Sequence, residues 1–190
     1  MTNGIKEKQN KAFETLKGPL GISNVMETPK LVKVVISTGI GSVKDKKKIE
    51  LIANRLTKIA GQKVMTKTAK KSIASFKSRQ GDAAGYQVTL RGDRMVNFVN
   101  KLINIALPRT KDFRGIPRKA IDEMGNINIG IREHTIFPET SDEEIKDIFG
   151  LAVTLVTTAK DVKAANIYLD YLGIPFMKPE EEKKLTGKRR

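Results

Sequence analysis

Apolar positions along this chain fall into two rhythms, one near 3.6 residues and one of 2. Ile5, Ala12, Phe13 and Leu16 share one side of a helical period, with Asn3 placed to cap the helix and Gly18-Pro19 to end it. Pro29 opens a run rich in β-branched residues, Leu31 to Thr38, which predicts a strand closed by Gly39 and Gly41. Asp45 is placed to cap a helix whose apolar side is Ile49, Ile52, Ala53, Leu56, Ile59 and Ala60, and Gly61 is a suitable stop. A short strand is expected at Lys63 to Thr68. Tyr86, Val88 and Leu90 then alternate with Gln87, Thr89 and Arg91, the pattern of a half-buried strand with a polar face. Beyond Gly92, Asp93 is placed to cap a helix running through Val96, Val99, Leu102, Ile103 and Ala106, with Pro108 as its stop.

The second half repeats this mixture. Arg109 to Lys119 reads as a basic loop. Ile127, Ile129 and Ile131 alternate with Asn128 and Gly130, predicting a hairpin arm after the turn at Gly125-Asn126. Asp142 to Ile148 predicts a short acidic helix, and Leu151 to Thr158 another strand. Asp161 is expected to cap a last helix through Tyr168, Leu169 and Leu172, closed by Gly173. The fold class is α+β: one largely antiparallel sheet, helices packed on one face, a polar face opposite, and protruding loops. Residues 1–177 are expected to form a single domain. The stretch from 178 to 190, basic and poor in apolar residues, is expected to be a loose tail.

Charge changes this picture most. The formal net charge is +15 over 190 residues. A charge of that size speaks to partners and solubility, not to fold. It is also concentrated. Between Lys63 and Gly81 stand six basic residues (Lys63, Lys67, Lys70, Lys71, Lys77, Arg79) and no acidic one, with the aromatic Phe76 among them. Like charges gathered in one segment repel each other, and a phosphate backbone is the commonest partner that relieves them, releasing counterions as it binds. An aromatic adds a face for an unstacked base. The alternative is a solvated basic loop, with Phe76 anchoring it to the core.

Other classes fare worse. Hydrophobic content of 39% argues against global disorder. Cysteine is absent, so no disulfide framework or thiolate metal ligand is expected, and the lone His134 cannot build a zinc site by itself. No apolar stretch approaches the ~20 residues that span a bilayer, and Met1 to Lys17 lacks the apolar core of a signal peptide. A reducing, cytosol-like compartment is expected, with no membrane and no cofactor. Gly39-Ile40-Gly41 follows a strand and precedes a helix. The third glycine of a phosphate-binding loop is missing, since position 44 is lysine, so two turn glycines are the better reading. His134 beside Glu133 and the carboxylates Asp142, Glu143 and Glu144 form no recognisable acid–base or nucleophile pattern. Thr89 to Arg94 sits at a strand-to-helix corner, where Arg91 either pairs with Asp93 or Asp82 or faces a nucleic acid.

Ordered motifs now add up. They are Ser23 to Lys30, Ile59 to Lys63, Ala69 to Ala74, Arg79 to Gly81, Val88 to Gly92, Leu107 to Arg109, Lys111 to Gly115, Ile136 to Glu139, and Leu172 to Phe176. From about Ile5 to Met177 the chain resembles the bacterial-type family of 5S rRNA-binding proteins of the large ribosomal subunit, the universal family numbered five. The resemblance implies a structural, non-catalytic protein of the central protuberance. Its partners would be 5S rRNA, large-subunit rRNA, P-site tRNA, a protein of the small-subunit head, and neighbouring central-protuberance proteins. Carried over by position, Thr38, Gly39, Gln62, Lys63, Thr89, Arg91 and Gly92 would contact rRNA. Lys70, Lys71, Ser72, Phe76, Lys77, Arg79 and Gln80 would face the tRNA elbow. Arg109, Lys111 and Arg114 would form an intersubunit bridge. One departure stands out: the family usually has Asn-Met before the glycine of its first strand, where this chain has Ser37-Thr38. A cytoplasmic ribosome is expected, with an organelle ribosome the alternative. A free RNA-binding module and an RNA-modifying enzyme are the rival classes. Presence outside a stable particle would mark the first, and a reactive pocket near His134 the second.

Overall fold

The computed structural model describes residues 4–43, 45–76, 78–140 and 148–178. In chain order the main elements are α1 (Ile5–Leu20), β1 (Leu31–Gly39), α2 (Lys46–Ala60), β2 (Met65–Thr68), β3 (Ala83–Leu90), α3 (Gly92–Lys101), β4 (Ile127–Ile131), β5 (Leu151–Thr157) and α4 (Val162–Leu172). The strands form one antiparallel sheet in the order β2-β3-β1-β5-β4. An α+β architecture was expected and is observed.

Alternation assigns the sheet's two faces. In β1, Val34 and Ile36 point inward, opposite Leu90 and Val88 of β3 on one side and Leu155 and Val153 of β5 on the other. Ile127, Ile129 and Ile131 extend this inner layer along β4. The helices cover it with Leu16, Ile52, Leu56, Val99, Leu102, Tyr168 and Leu169, giving one continuous core. A fully buried Leu or Ile contributes about 1.5–3 kcal/mol, so this layer dominates stability.

Several helix ends differ from expectation, each for a physical reason. Helix α1 runs through Gly18-Pro19 and stops at Gly21, which is left-handed (φ 63). Proline is tolerated there because Gly18, lacking a Cβ, relieves the clash with the following ring. At its other end, the Ile5 amide donates to Asn100 Oδ1 of α3 at 3.2 Å, so a distant helix supplies a cap. Asp45 caps α2 as expected, accepting from the Lys47 amide at 3.0 Å. Asp93 does not cap α3. Arg91 occupies that position, while Asp93 lies in the first turn and pairs with Lys6 at 3.0 Å. Helix α3 continues into a wider π-helical turn, Leu102–Ala106. Strand β4 pairs along its length with β5, and its link to the preceding turn is a single bridge, Ile121 to Ile127. The expected acidic helix from Asp142 lies outside the described residues except for Ile148, which is not helical. Among the described residues no helix is long and apolar enough to cross a membrane.

Candidate nucleic-acid interface

The sheet face turned away from the helices carries Lys33, Val35, Ser37 and Gly39 of β1. Beside them lie Gln87 and Thr89 of β3, Ala152 and Thr154 of β5, and Asn128 and Gly130 of β4. Among the described residues no helix covers these positions. Their side chains are short or polar, and Thr154 Oγ1 donates to Asn128 Oδ1 across the strands at 2.6 Å. Toward the Gly39 end the face sinks into a depression of about 490 Å³ lined by Ser37, Gly39, Gly130, Arg132, Gly150 and Ala152. With so little side chain there, a ligand can approach the strands closely.

At the opposite end, three segments converge. Gln62, after α2, reaches the β3–α3 corner. Its Nε2 donates to the Thr89 carbonyl at 3.4 Å, and its Oε1 accepts from Arg94 Nη1 at 3.4 Å. Lys63, Arg91, Gly92 and Arg94 are exposed around it. Gly92 has φ 58, a left-handed conformation that lets the chain turn from strand into helix. Among the described residues Arg91 has no ion-pair partner. Asp93 is taken by Lys6, and Asp82 accepts from the Arg79 amide at 2.8 Å. The two carboxylates considered for Arg91 are therefore engaged elsewhere.

The segment between β2 and β3 projects as an organised arm. Ala69 N–H donates to Asp82 O at 2.8 Å and Gly81 N–H to Ala69 O at 3.0 Å at its base. Ile73 and Ser78 form a bridge further out, and the Gln80 amide donates to Ser72 Oγ at 2.9 Å. Lys70, Lys71, Arg79 and Gln80 are carried on it, and Lys77 lies outside the described residues. Phe76, in the 3₁₀ turn at the tip, is 76% exposed, so it does not anchor the arm to the core. Arg109, Lys111 and Arg114 are exposed on a second projection after the π-helical turn.

The inferred rRNA residues thus divide. Gly39, Gln62, Lys63, Thr89, Arg91 and Gly92 lie on the open face or its corner. Thr38 does not: it is buried on the covered side, and its hydroxyl donates to the Gly150 carbonyl at 2.7 Å. Ser37 is the residue of that pair on the open face. Sequence reasoning missed Arg94 and Arg132 as members of the surface. Arg94 belongs to the motif after β3, yet only its approach to Gln62 reveals its place.

Among the described residues no catalytic cluster emerges around His134. The ring is wholly buried, stacked on Phe149 with centroids 4.1 Å apart, and Nδ1 accepts the Phe149 amide at 3.3 Å. It serves to hold two segments together. Among the described residues no group of three or more His, Cys, Asp or Glu side chains could hold a metal ion.

Comparison with known proteins joins these surfaces to a family. The family model described as ribosomal protein L5 matches residues 24–79, and the model for the C-terminus of the same ribosomal family matches residues 83–176. The chain is 47% identical over 175 residues to the large ribosomal subunit protein uL5 of Sulfurovum sp. (strain NBC37-1), covering 92% of this chain and 97% of that protein. It is 46% identical over 174 residues to the protein of the same name from Flavobacterium johnsoniae, covering 91% and 95%.

Proposed function

The chain belongs to the ribosomal protein L5 family, whose members are structural, non-catalytic, RNA-binding constituents of the large ribosomal subunit, and from that premise we propose that its open sheet face and the Gln62–Arg94 corner bind 5S rRNA. By doing so it helps attach 5S rRNA to the large-subunit rRNA, among the proteins of the central protuberance. The observation that carries this reading is the corner itself. Arg91 is exposed beside a Gln62 amide already oriented by Thr89 and Arg94, at the edge of a face that no helix covers among the described residues. Fixed donors next to a polar sheet suit the shape and splayed bases of RNA. The arm from Lys70 to Gly81 is read as the contact to P-site tRNA, and Arg109, Lys111 and Arg114 as the contact to a small-subunit head protein. Residues 1–177 act as one RNA-binding domain in this reading, with Thr38 contributing through the Gly150 bond and not through RNA.

A paired experiment tests the assignment. Arg91→Ala should weaken 5S rRNA affinity by about 1–3 kcal/mol at fixed salt. Neutralising Lys70, Lys71, Lys77 and Arg79 should leave that affinity nearly intact but speed tRNA release from the P site of assembled ribosomes. Each phosphate contact adds roughly 0.7–0.9 to the slope of log affinity against log salt, so the Arg91 variant should also show a shallower slope. Loss of 5S binding on neutralising the arm, with normal tRNA retention, overturns its assignment.

A further inference from the structure

The segment that carries Arg109, Lys111 and Arg114 is held on its C-terminal side by Pro175 to Met177. Ile116 N–H donates to Pro175 O and Met177 N–H donates to Ile116 O, both at 2.9 Å, so Ile116 and Phe176 form a parallel bridge. The two segments are in close contact. Gly115 has φ 99, and a Cβ there would stand 2.6 Å from Met177 N and 2.8 Å from Met177 Cα. Beside this contact lies Arg118. Its Nη2 donates to both carboxylate oxygens of Asp170 at 3.2 and 3.0 Å, and Nη1 donates to Asn166 Oδ1 at 2.7 Å. Its guanidinium carbon lies 4.7 Å from the centroid of the Phe176 ring.

A planar guanidinium can aim one nitrogen at Asp170 and the other at Asn166 while its plane stacks on the Phe176 ring, and an ammonium cannot do all three. The Arg118 and Asp170 side chains are 41% and 46% exposed, so the pair contributes little to global stability. Its effect is local, on the segment it covers. We propose that Arg118 is a positioning residue for the small-subunit contact. It locks Phe176, and with it the strut from Ile174 to Met177, against Gly115, and so fixes how Arg109, Lys111 and Arg114 are presented before a partner arrives. This rests on the reading of that projection as the intersubunit contact.

The test follows amide exchange in the full chain together with subunit association. Arg118→Ala should speed exchange of the Ile116 and Met177 amides by about three- to tenfold, the range set by a surface ion pair plus one cation–π contact. The amides of Val34 and Ile36 should be unaffected. Arg118→Lys, which keeps the charge without the fork, should behave like the alanine variant. Large subunits carrying Arg118→Ala should associate more weakly with small subunits, while 5S affinity is unchanged. Wild-type exchange at Ile116 and Met177 in the alanine variant overturns the clamp. Faster exchange with undiminished association overturns its positioning role, provided that neutralising Arg109, Lys111 and Arg114 together does weaken association. If that triple variant also associates normally, the bridge reading itself is wrong, and the exchange rates still decide the clamp.

Discussion

The corner at Gln62 and the arm from Ala69 to Asp82 stand at opposite ends of the β2–β3 pair, and both offer positive charge to a polyanion. They differ in what stands behind the charge. At the corner, Gln62 is tied to Thr89 and Arg94, and the strand beneath places Val88 and Leu90 in the core. The arm carries Lys70, Lys71 and Arg79 in a shorter span, but Phe76 at its tip is 76% exposed, and among the described residues the bonds that shape it lie within the arm. A donor whose orientation is fixed in advance costs little ordering on binding and can set register, whereas an exposed cation adds attraction without direction. On this reasoning the corner should be the more selective of the two surfaces, whatever the charge the arm carries.

Breaking the sheet should have the largest effect. A Cβ on Gly85 would stand 2.5 Å from the Thr38 carbonyl, so Gly85→Ala must push β3 from β1. Urea unfolding should show a loss of about 3 kcal/mol, and the corner's 5S affinity should fall with it. An undiminished midpoint would mean the strands can part freely.

Next comes Tyr168, whose hydroxyl accepts the Leu31 amide at 3.0 Å where β1 begins. Tyr168→Phe leaves that buried amide unpaired and should cost about 1–3 kcal/mol. Burial pushes the Tyr168 pKa above its ordinary value of 10.0, against the smaller opposing pull of hydrogen bonds from Gln9 and Leu31. The folded state thus holds this proton more tightly than the unfolded chain. Its contribution is complete below about pH 10 and is lost as pH rises through the folded pKa. Denaturation profiles of wild type and Tyr168→Phe should converge in that alkaline window, and parallel profiles would rule the linkage out.

A smaller effect is expected from Gln62→Ala, which frees Arg94 without removing a charge. 5S affinity should drop by about 0.5–1.5 kcal/mol with the salt slope unchanged, marking a loss of orientation alone. Smallest of all, Phe76→Ala should alter folding stability by no more than about 0.5 kcal/mol, as for surface substitutions generally. A larger loss would show that the arm tip has a structural partner after all.

The corner and the arm were unequally legible in the sequence. Alternation at Tyr86 to Arg91 places β3's polar face correctly, because apolar and polar residues take strict turns there. In β1 the polar Lys33 and Ser37 share their side with Leu31 and Val35, which blurs the alternation, and position in the family motif puts Thr38 on the open face, whereas the structure buries it on the covered one. Only the pairing of Ile36 with Val88 and Val153 shows which way that residue points. The caps at Asp45, Gly61 and Gly173 are visible because they act within a few residues. The cap on α1 is invisible because Asn100 provides it from far along the chain. Arg94 escapes for the same reason. The charge of the arm is plain from composition, but its hydrogen-bonded shape is not, and it reads as a loose loop until Ile73 is seen opposite Ser78.

The sheet order has a consequence for how the molecule comes into being. Among the described strands β1 is the first of the sheet to be made, and one of its two flanking neighbours, β5, is the last. Until Val153 arrives opposite Ile36, one edge of β1 is an open ladder of unpaired amides and carbonyls, a template for mispairing with another chain. Such distant pairing also closes a long loop late, which makes for slow folding. A newly made chain should therefore pass through an interval in which the central strand β1, with Val34 and Ile36, is half-paired, and conditions that prolong that interval, such as high chain concentration, should favour aggregation over completion of the sheet.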